Sequence, residues 1–133
     1  MPEVGLGVLP GTGGTQRLAR LIGKARAIEL MVTGRIITFE QGQELGMVTE
    51  IYESSPDEFR DKVLAYAKQF TSPHKAPLAV GAIKRSVQSG AEIPLEYALA
   101  LERELQSALF KSGDAKEGLG AYVEKRTARF RKR

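Results

Sequence analysis

The stretch PEVGLGVLPGTGGTQRL, residues 2–18, carries the most structural information in the sequence. Its first part, residues 3–9, combines valine and leucine with glycine, which predicts a short strand or the end of one. Residues 10–14 (PGTGG) predict a tight turn, because glycine tolerates positive φ and close backbone approach. A helix should begin near residue 12 or 15 and continue to about Ile22. This stretch therefore predicts a strand that turns sharply into a helix.

The rest of the chain is predicted to be mostly helical. Apolar residues spaced by three and four positions indicate helices, and Thr38 with Gln41, Ser55 with Glu58 and Asp114 with Glu117 fit capping boxes. Residues 47–52 (MVTEIY) predict the one convincing strand. The helices are predicted at 24–32, 39–45, from Ser55 through Phe70, at 77–89, 94–112 and from Asp114 to about Phe130.

The predicted strands are too few for a sheet of their own. A two-stranded pair is only marginally stable in water. The N-terminal strand therefore belongs, in this interpretation, to a sheet that the sequence does not contain. The helix at 94–112 carries apolar residues on more than one stripe, which predicts packing on both sides.

Composition excludes several classes of protein. The chain has 133 residues, the size of one ordinary domain, and 42% of them are hydrophobic. It has no cysteine, so disulfides and cysteine-based metal sites are excluded. The first residues show no basic segment followed by an apolar stretch, so no signal peptide is expected, and no apolar run suits a membrane span.

The net charge of +4 lies in the C-terminal tail, residues 114–133. Such a basic tail suits a polyanion, for example nucleic acid, acidic lipid or a phosphorylated small molecule, but also an ordinary solvated terminus. The tail has few aromatic residues to stack on bases, which disfavours nucleic acid as a partner. Its basic residues are mainly Lys125, Arg126, Arg129, Arg131, Lys132 and Arg133.

Common catalytic and nucleotide-binding motifs are absent from the sequence. There is no Walker A motif, and the Rossmann pattern fails because Pro10 stands where its third glycine should be. The only histidine, His74, lies in a polar linker and is expected at the surface, which argues against a Ser-His-Asp triad or a histidine metal site. We predict no metal site.

Carboxylates and backbone amides remain as candidates for chemistry. The turn from Gly11 leads into a helix N-terminus, where unpaired N–H groups could hold an anion or a water. Glu3, beside valine and glycine, could sit in an apolar pocket and serve in general acid/base catalysis. From these residues alone, an ordinary loop and a solvated glutamate are the simpler interpretations.

Four segments in order give the sequence a family resemblance. Residues 2–18, 27–34 (AIELMVTG), 46–48 (GMV) and 117–126 (EGLGAYVEKR) resemble the crotonase superfamily of enoyl-CoA hydratases and isomerases. The resemblance implies the C-terminal half of a subunit, mostly α with one or two short strands. Residues 1–55 would be the end of a crotonase-type ββα spiral, with the catalytic glutamate segment and the last strand. Residues 56–133 would be the C-terminal helical trimerisation region.

The same resemblance implies four site residues. Glu3 matches the second catalytic glutamate, which donates a proton to the α-carbon of a 2-enoyl-CoA and orients the water. The backbone N–H of Gly11 matches a position that holds this water. Tyr122 and Lys125 match positions at the adenine and phosphate end of coenzyme A, where a cation opposite a phosphate makes electrostatic sense. The first glutamate and both oxyanion-hole residues lie upstream in the family, so this chain alone is predicted to be inactive.

The resemblance also implies partners and location. Coenzyme A enters as part of the acyl-CoA thioester substrate, and no separate cofactor is expected. A homo-oligomer is implied, a trimer or hexamer in the full-length family, working in the cytoplasm or, in a eukaryote, in the mitochondrial matrix. Glu3 with the glycine turn favours a hydratase of fatty-acid or related acyl-CoA metabolism. An isomerase or other crotonase reaction, and a non-catalytic oligomerisation or polyanion-binding module, remain as alternatives.

Overall fold

The computed structural model of this protein describes residues 2–132, so Met1, and Arg133 of the basic tail, lie outside the described residues. Across this described range the chain forms one 3₁₀ helix and seven α-helices, with no strand. It divides into two compact units, one ending at Glu53 and the other beginning at Ser54. We call them the N-terminal and C-terminal units.

The N-terminal unit is built around a small apolar core. It contains a 3₁₀ helix, Pro2–Leu6, followed by α1 (Gly14–Ile22), α2 (Lys24–Thr33) and α3 (Phe39–Glu44). The core lies between α1 and α2, and each of its large aliphatic side chains contributes about 1.5–3 kcal/mol when fully buried. Its buried members are Leu18, Ile22, Ala27 and Leu30.

The C-terminal unit contains four longer helices. They are α4 (Pro56–Lys68), α5 (Pro77–Gly90), α6 (Leu95–Phe110) and α7 (Gly113–Val123). Helix α5 packs against α6, and α6 contacts α7. In the described part of this unit only Asp114 and Ala121 are fully buried. None of the leucines of α6 is fully buried, and Leu95 and Leu99 are exposed, so the unit leaves much apolar surface exposed.

Two predicted capping boxes are confirmed. The Thr38 hydroxyl accepts a hydrogen bond from the Gln41 amide at 3.3 Å, and the Gln41 side chain accepts one from the Thr38 amide at 3.1 Å. Ser55 and Glu58 form the same reciprocal pair at the start of α4. These bonds satisfy N–H groups that a helix leaves unpaired in its first turn. Helices α1 to α6 begin and end close to the predicted residues.

Both predicted strands are wrong for this chain. Residues 2–6 wind into the 3₁₀ helix, in which the Gly7 amide donates to the Val4 carbonyl at 3.1 Å. Residues 47–52 form no strand either, and the Thr49 carbonyl accepts a bond from the Gln43 side chain at 3.3 Å. A strand needs a neighbour to pair its backbone groups. Between residues 2 and 132 the structure supplies no such neighbour.

The last helix also differs from its prediction. Its N-cap is Ser112, whose hydroxyl accepts the Ala115 amide at 3.1 Å, rather than Asp114. It ends at Val123 instead of continuing to about Phe130. The reason is that the Asp114 and Glu117 carboxylates bind the backbone amides of Arg129, Arg131 and Lys132, which must leave the helix to reach them.

Candidate functional site

Glu3 lies on the 3₁₀ helix at the start of the N-terminal unit. The residue is half-buried, and its Oε2 atom is buried with no hydrogen-bond partner among the residues described. Buried polar atoms are nearly always paired, because an unpaired one has lost its water without compensation. The position of this carboxylate oxygen therefore costs stability unless a group outside the described chain satisfies it.

The glycine turn after Glu3 leaves the amides of Gly11, Thr12 and Gly13 without an acceptor in the described chain. The Gly14 amide donates to the Gly11 carbonyl at 3.1 Å, and the Thr15 amide donates to the Pro10 carbonyl at 3.3 Å. The turn passes through the left-handed region at Thr12 (φ 55°) and Gly13 (φ 88°). Within residues 2–132 the Gly11 amide donates to no acceptor, and Gly11 is exposed.

The turn is also sterically restricted at its end. A Cβ added at Gly14 would lie 3.1 Å from the Pro10 Cβ, closer than nearly all real Cβ contacts. Pro10 itself is buried. The glycine therefore lets the chain fold back tightly on the proline, which fixes how Gly11 is presented at the start of α1.

Tyr122 and Lys125 lie together at the end of α7. The Lys125 amide donates to the Tyr122 carbonyl at 3.3 Å. Tyr122 is 84% exposed, and Lys125 is exposed as well. The structure thus brings the two predicted coenzyme A residues to one helix end. Glu3 and Gly11 belong to the other unit, where residues 4–10 separate them in the sequence.

Two carboxylates that are predicted to form a capping box bind the tail instead. Both oxygens of Glu117 accept hydrogen bonds from Arg126, at 2.6 and 3.0 Å, and one also accepts the Arg129 amide at 2.9 Å. Asp114, only 3% exposed, accepts the Arg131 and Lys132 amides at 2.8 and 2.9 Å. We call these two residues and their bonds the tail clamp. Its only sequence signal was a pair of acids three residues apart, eleven and eight residues before the basic segment that begins at Lys125.

The tail clamp changes the titration of its members. The Arg126 side chain, and then the Arg129 amide, lower the pKa of Glu117 from 4.5 to about 2. Glu117, and then Glu124, raise the pKa of Arg126 above its ordinary value. The Arg126 guanidinium is thereby committed to carboxylates of its own chain, which reduces the free positive charge of the tail.

Other candidate sites receive no support from the geometry. His74 is exposed, as predicted. In the part of the chain that the structure describes, no three His, Cys, Asp or Glu side chains are grouped to hold a metal ion. None of the described helices combines the length and the hydropathy needed to span a bilayer.

Known proteins place the whole chain in one family. Residues 1–133 match the enoyl-CoA hydratase/isomerase family. This chain belongs to that family. It is 38% identical to the 2,3-dehydroadipyl-CoA hydratase of Escherichia coli K12, over all of this chain and 51% of the relative.

Solved structures of family members agree with the fold. An enoyl-CoA hydratase from Geobacillus kaustophilus superposes with a TM-score of 0.88 at 45% identity, covering 99% of this chain and 48% of that one. An enoyl-CoA hydratase from Bacillus anthracis gives 0.84 at 33% identity, covering 99% and 50%. The chain thus spans about half the length of these relatives. It corresponds to the C-terminal half of a crotonase-fold subunit.

Family membership confirms the predicted resemblance and the helical part of the fold. It does not by itself assign chemistry to Glu3, Gly11, Tyr122 or Lys125, because each of these roles depends on contacts with a substrate. Their geometry in this enoyl-CoA hydratase/isomerase family member is nevertheless specific. In the described N-terminal unit a Glu3 carboxylate oxygen is buried without a partner and the Gly11 amide donates to no acceptor, and the exposed Lys125 lies at the end of α7.

Proposed function

We propose that this chain is the C-terminal part of an enzyme that adds water to 2-enoyl-CoA thioesters in fatty-acid or related acyl-CoA metabolism. The observation that carries the proposal is the buried, unpartnered Oε2 of Glu3, on the 3₁₀ helix that precedes the free Gly11 amide. A carboxyl group that no protein donor occupies is available to a water or a substrate. The reaction would take place in the cytoplasm, or in the mitochondrial matrix of a eukaryote.

The two groups have complementary roles in hydration. The Gly11 amide donates a hydrogen bond to the attacking water and fixes its oxygen. Glu3, in its protonated form, orients this water and delivers its proton to the α-carbon while the hydroxyl adds to the β-carbon. The proton that the water loses passes to the carboxylate of the family's first glutamate. The family's other requirements, a first glutamate and two N–H donors for the thioester enolate, have no counterpart assigned in this chain. The chain alone is therefore expected to be inactive.

Coenzyme A recognition is assigned to the C-terminal unit. Tyr122 offers an exposed aromatic ring suited to the adenine, and Lys125 offers an exposed ammonium suited to a phosphate. Because Arg126 is paired with Glu117 and Glu124, Lys125 rather than its neighbour is the cation left for the ligand.

A chimera tests the catalytic proposal. This chain is fused behind the N-terminal half of the Escherichia coli relative, and hydration of crotonyl-CoA is followed. We expect activity in the chimera and none in the chain alone, and a loss of about 100-fold or more in kcat with Glu3→Gln. Glu44→Gln, the same change at an exposed residue of α3, is the control. An active Glu3→Gln chimera would contradict the proposed role of Glu3.

The same chimera separates hydration from isomerisation. A 3-enoyl-CoA is offered as substrate, and the products are resolved by chromatography. A hydratase leaves this substrate unreacted and hydrates only the 2-enoyl isomer. Faster conversion of the 3-enoyl to the 2-enoyl isomer would instead favour an isomerase.

Homo-oligomerisation is the accompanying proposal. Helices α5 and α6 leave several large apolar side chains more than half exposed around an open groove of about 820 Å³. Exposed apolar patches of this kind mark contact surfaces. Sedimentation should show a trimer or hexamer of the chimera, and a monomer at high concentration would contradict this proposal. The exposed residues that line the groove are Ile83, Val87 and Phe110, and Leu95 and Tyr97 are exposed elsewhere on α6.

A further inference from the structure

The end of α7 places a lysine where helices ordinarily place glycine. The Arg126 amide donates to the Ala121 carbonyl at 3.0 Å, and the Lys125 amide donates to that of Tyr122 at 3.3 Å. This pair of bonds is a Schellman motif, in which the residue after the C-cap is left-handed and usually glycine. Here that residue is Lys125, with φ 54°. The helix thus ends in a conformation that this side chain disfavours.

The tail clamp holds this strained position from the C-terminal side. Arg126 follows Lys125 directly, and its guanidinium lies in a two-point hydrogen bond with Glu117 and a further bond with Glu124. Three more tail amides, of Arg129, Arg131 and Lys132, are bound by Glu117 or Asp114. A left-handed non-glycine residue persists only where its surroundings fix it. Glu117 supplies more of these bonds than any other tail-clamp side chain.

The arrangement leaves the Lys125 side chain free while fixing its backbone. In the described chain no carboxylate lies within ion-pair distance of the Lys125 ammonium, whereas Arg126 has two. The two neighbouring cations therefore have different roles. Arg126 anchors the turn, and Lys125 is presented to solvent from a fixed backbone.

We propose that Glu117 is a positioning residue, which holds Arg126 and the tail so that Lys125 faces a phosphate of the acyl-CoA. This inference rests on the proposed role of Lys125 in coenzyme A binding and adds a residue that does not touch the ligand. Glu117 is itself an anion, and it is bonded to Arg126, the residue directly after Lys125. Its direct electrostatic effect on a phosphate is therefore repulsive.

Because of this repulsion, a pure charge effect and a positioning role predict opposite changes in coenzyme A affinity. Removing an acidic charge beside a phosphate site should strengthen binding, by up to about twofold at physiological salt, if charge is all that matters. If Glu117 positions Lys125, Glu117→Gln instead weakens coenzyme A binding about tenfold. Glu124→Gln is the matched control, because it makes the same charge change beside the same arginine but binds no tail amide.

The experiment titrates coenzyme A, and pantetheine as the probe without the nucleotide, into the full chain by calorimetry. The expected result is weaker coenzyme A binding for Glu117→Gln and Lys125→Gln, unchanged or tighter binding for Glu124→Gln, and unchanged pantetheine binding throughout. Hydrogen exchange of the Arg129 amide should speed up in Glu117→Gln while α6 amides keep their protection.

Two failures are distinguishable. If Lys125→Gln weakens coenzyme A binding but Glu117→Gln leaves it equal or tighter, the positioning role is wrong and the proposed function stands. If Lys125→Gln has no effect, the coenzyme A role of Lys125 fails, and the positioning role with it. Should Glu117→Gln fail to fold, Arg126→Lys replaces it. It keeps the charge and removes the two-point geometry, so unchanged affinity would overturn the proposal.

Discussion

The turns at Gly11–Gly14 and at Lys125 both pass through the left-handed region, but they are held there differently. The first passes through Thr12 at φ 55° and Gly13 at φ 88°, and no side chain caps the helix that follows. The second uses a lysine at φ 54° and needs carboxylates of α7 to hold the chain beyond it. Gly13 adopts this conformation at little cost, whereas the residues that follow the lysine are bound by Glu117 and Asp114, eight and eleven positions before it in the sequence.

The difference corresponds to what each turn presents. A glycine turn exposes backbone, and here it leaves the Gly11 amide free to bind a water or an anion. A clamped turn uses its backbone amides internally and presents a side chain. The N-terminal unit therefore offers a hydrogen-bond donor of fixed geometry, and the C-terminal unit offers a charge on a long flexible stem.

The largest expected effect is at the glycine turn. Gly13→Ala should lower the free energy of unfolding by about 1–2 kcal/mol, since alanine in this region is strained. The added Cβ would lie no closer than 3.4 Å to the Arg17 side chain, so the effect comes from the backbone. Urea denaturation measures it. Gly5→Ala, where the methyl meets nothing within 4 Å, is the control, and equal losses in both variants would contradict the explanation.

The opposite sign is expected at the clamped turn. Lys125→Gly should raise the free energy of unfolding by about 0.5–1 kcal/mol, because relief of strain exceeds the added freedom of the unfolded chain. Lys116→Gly, inside α7, should lower it by about 1 kcal/mol. Thermal unfolding of the two variants makes the comparison. Destabilisation by Lys125→Gly would show that the tail clamp removes all strain from the lysine.

The smallest effect is expected from acid titration of the tail clamp, because its ion pair is partly exposed to solvent. The pKa of Glu117 lies at about 2 in the folded chain against 4.5 ordinarily. Its stabilising contribution is therefore complete above pH 4.5 and is lost as the pH falls toward 2. The stability difference between the wild type and Glu117→Gln should follow this course.

Calorimetric unfolding at several pH values measures the difference. Glu104→Gln on α6 is the control for a simple change of charge. A difference between the wild type and Glu117→Gln that stays constant from pH 7 to pH 2 would contradict the ionic account of the tail clamp.

Local sequence signals located most of the helices correctly. Thr38 and Ser55 define helix starts because each forms its capping hydrogen bonds with the residue three positions later. Gly23 and Gly34 end helices because they adopt positive φ there. Such signals depend on neighbouring residues alone, so the sequence contains all that is needed to interpret them. The exposure of His74 could also be predicted from the sequence, because this residue lies in a polar linker.

The wrong predictions concern segments whose structure depends on residues far away in the sequence. Residues 47–52 have the composition of a strand, but a strand also needs a neighbour, and the described chain has none to offer. Asp114 fits a cap by its spacing to Glu117, yet it binds amides seventeen and eighteen residues later. The same limit applies to the site. The family resemblance pointed to Lys125, but only the structure shows that Glu117 binds Arg126 and Arg129 just beyond it.

The hydrogen bonds of the tail also restrict which sequences it can accept. Four consecutive amides, at residues 129–132, donate to acceptors on α7 or to the Pro73 carbonyl. Proline has no amide hydrogen, so it would remove one of these bonds at any of the four positions. In the described chain the amides of Thr127 and Ala128 donate to nothing. Substitution by proline therefore removes no hydrogen bond at these two positions, whereas it removes one at each of the four positions that follow.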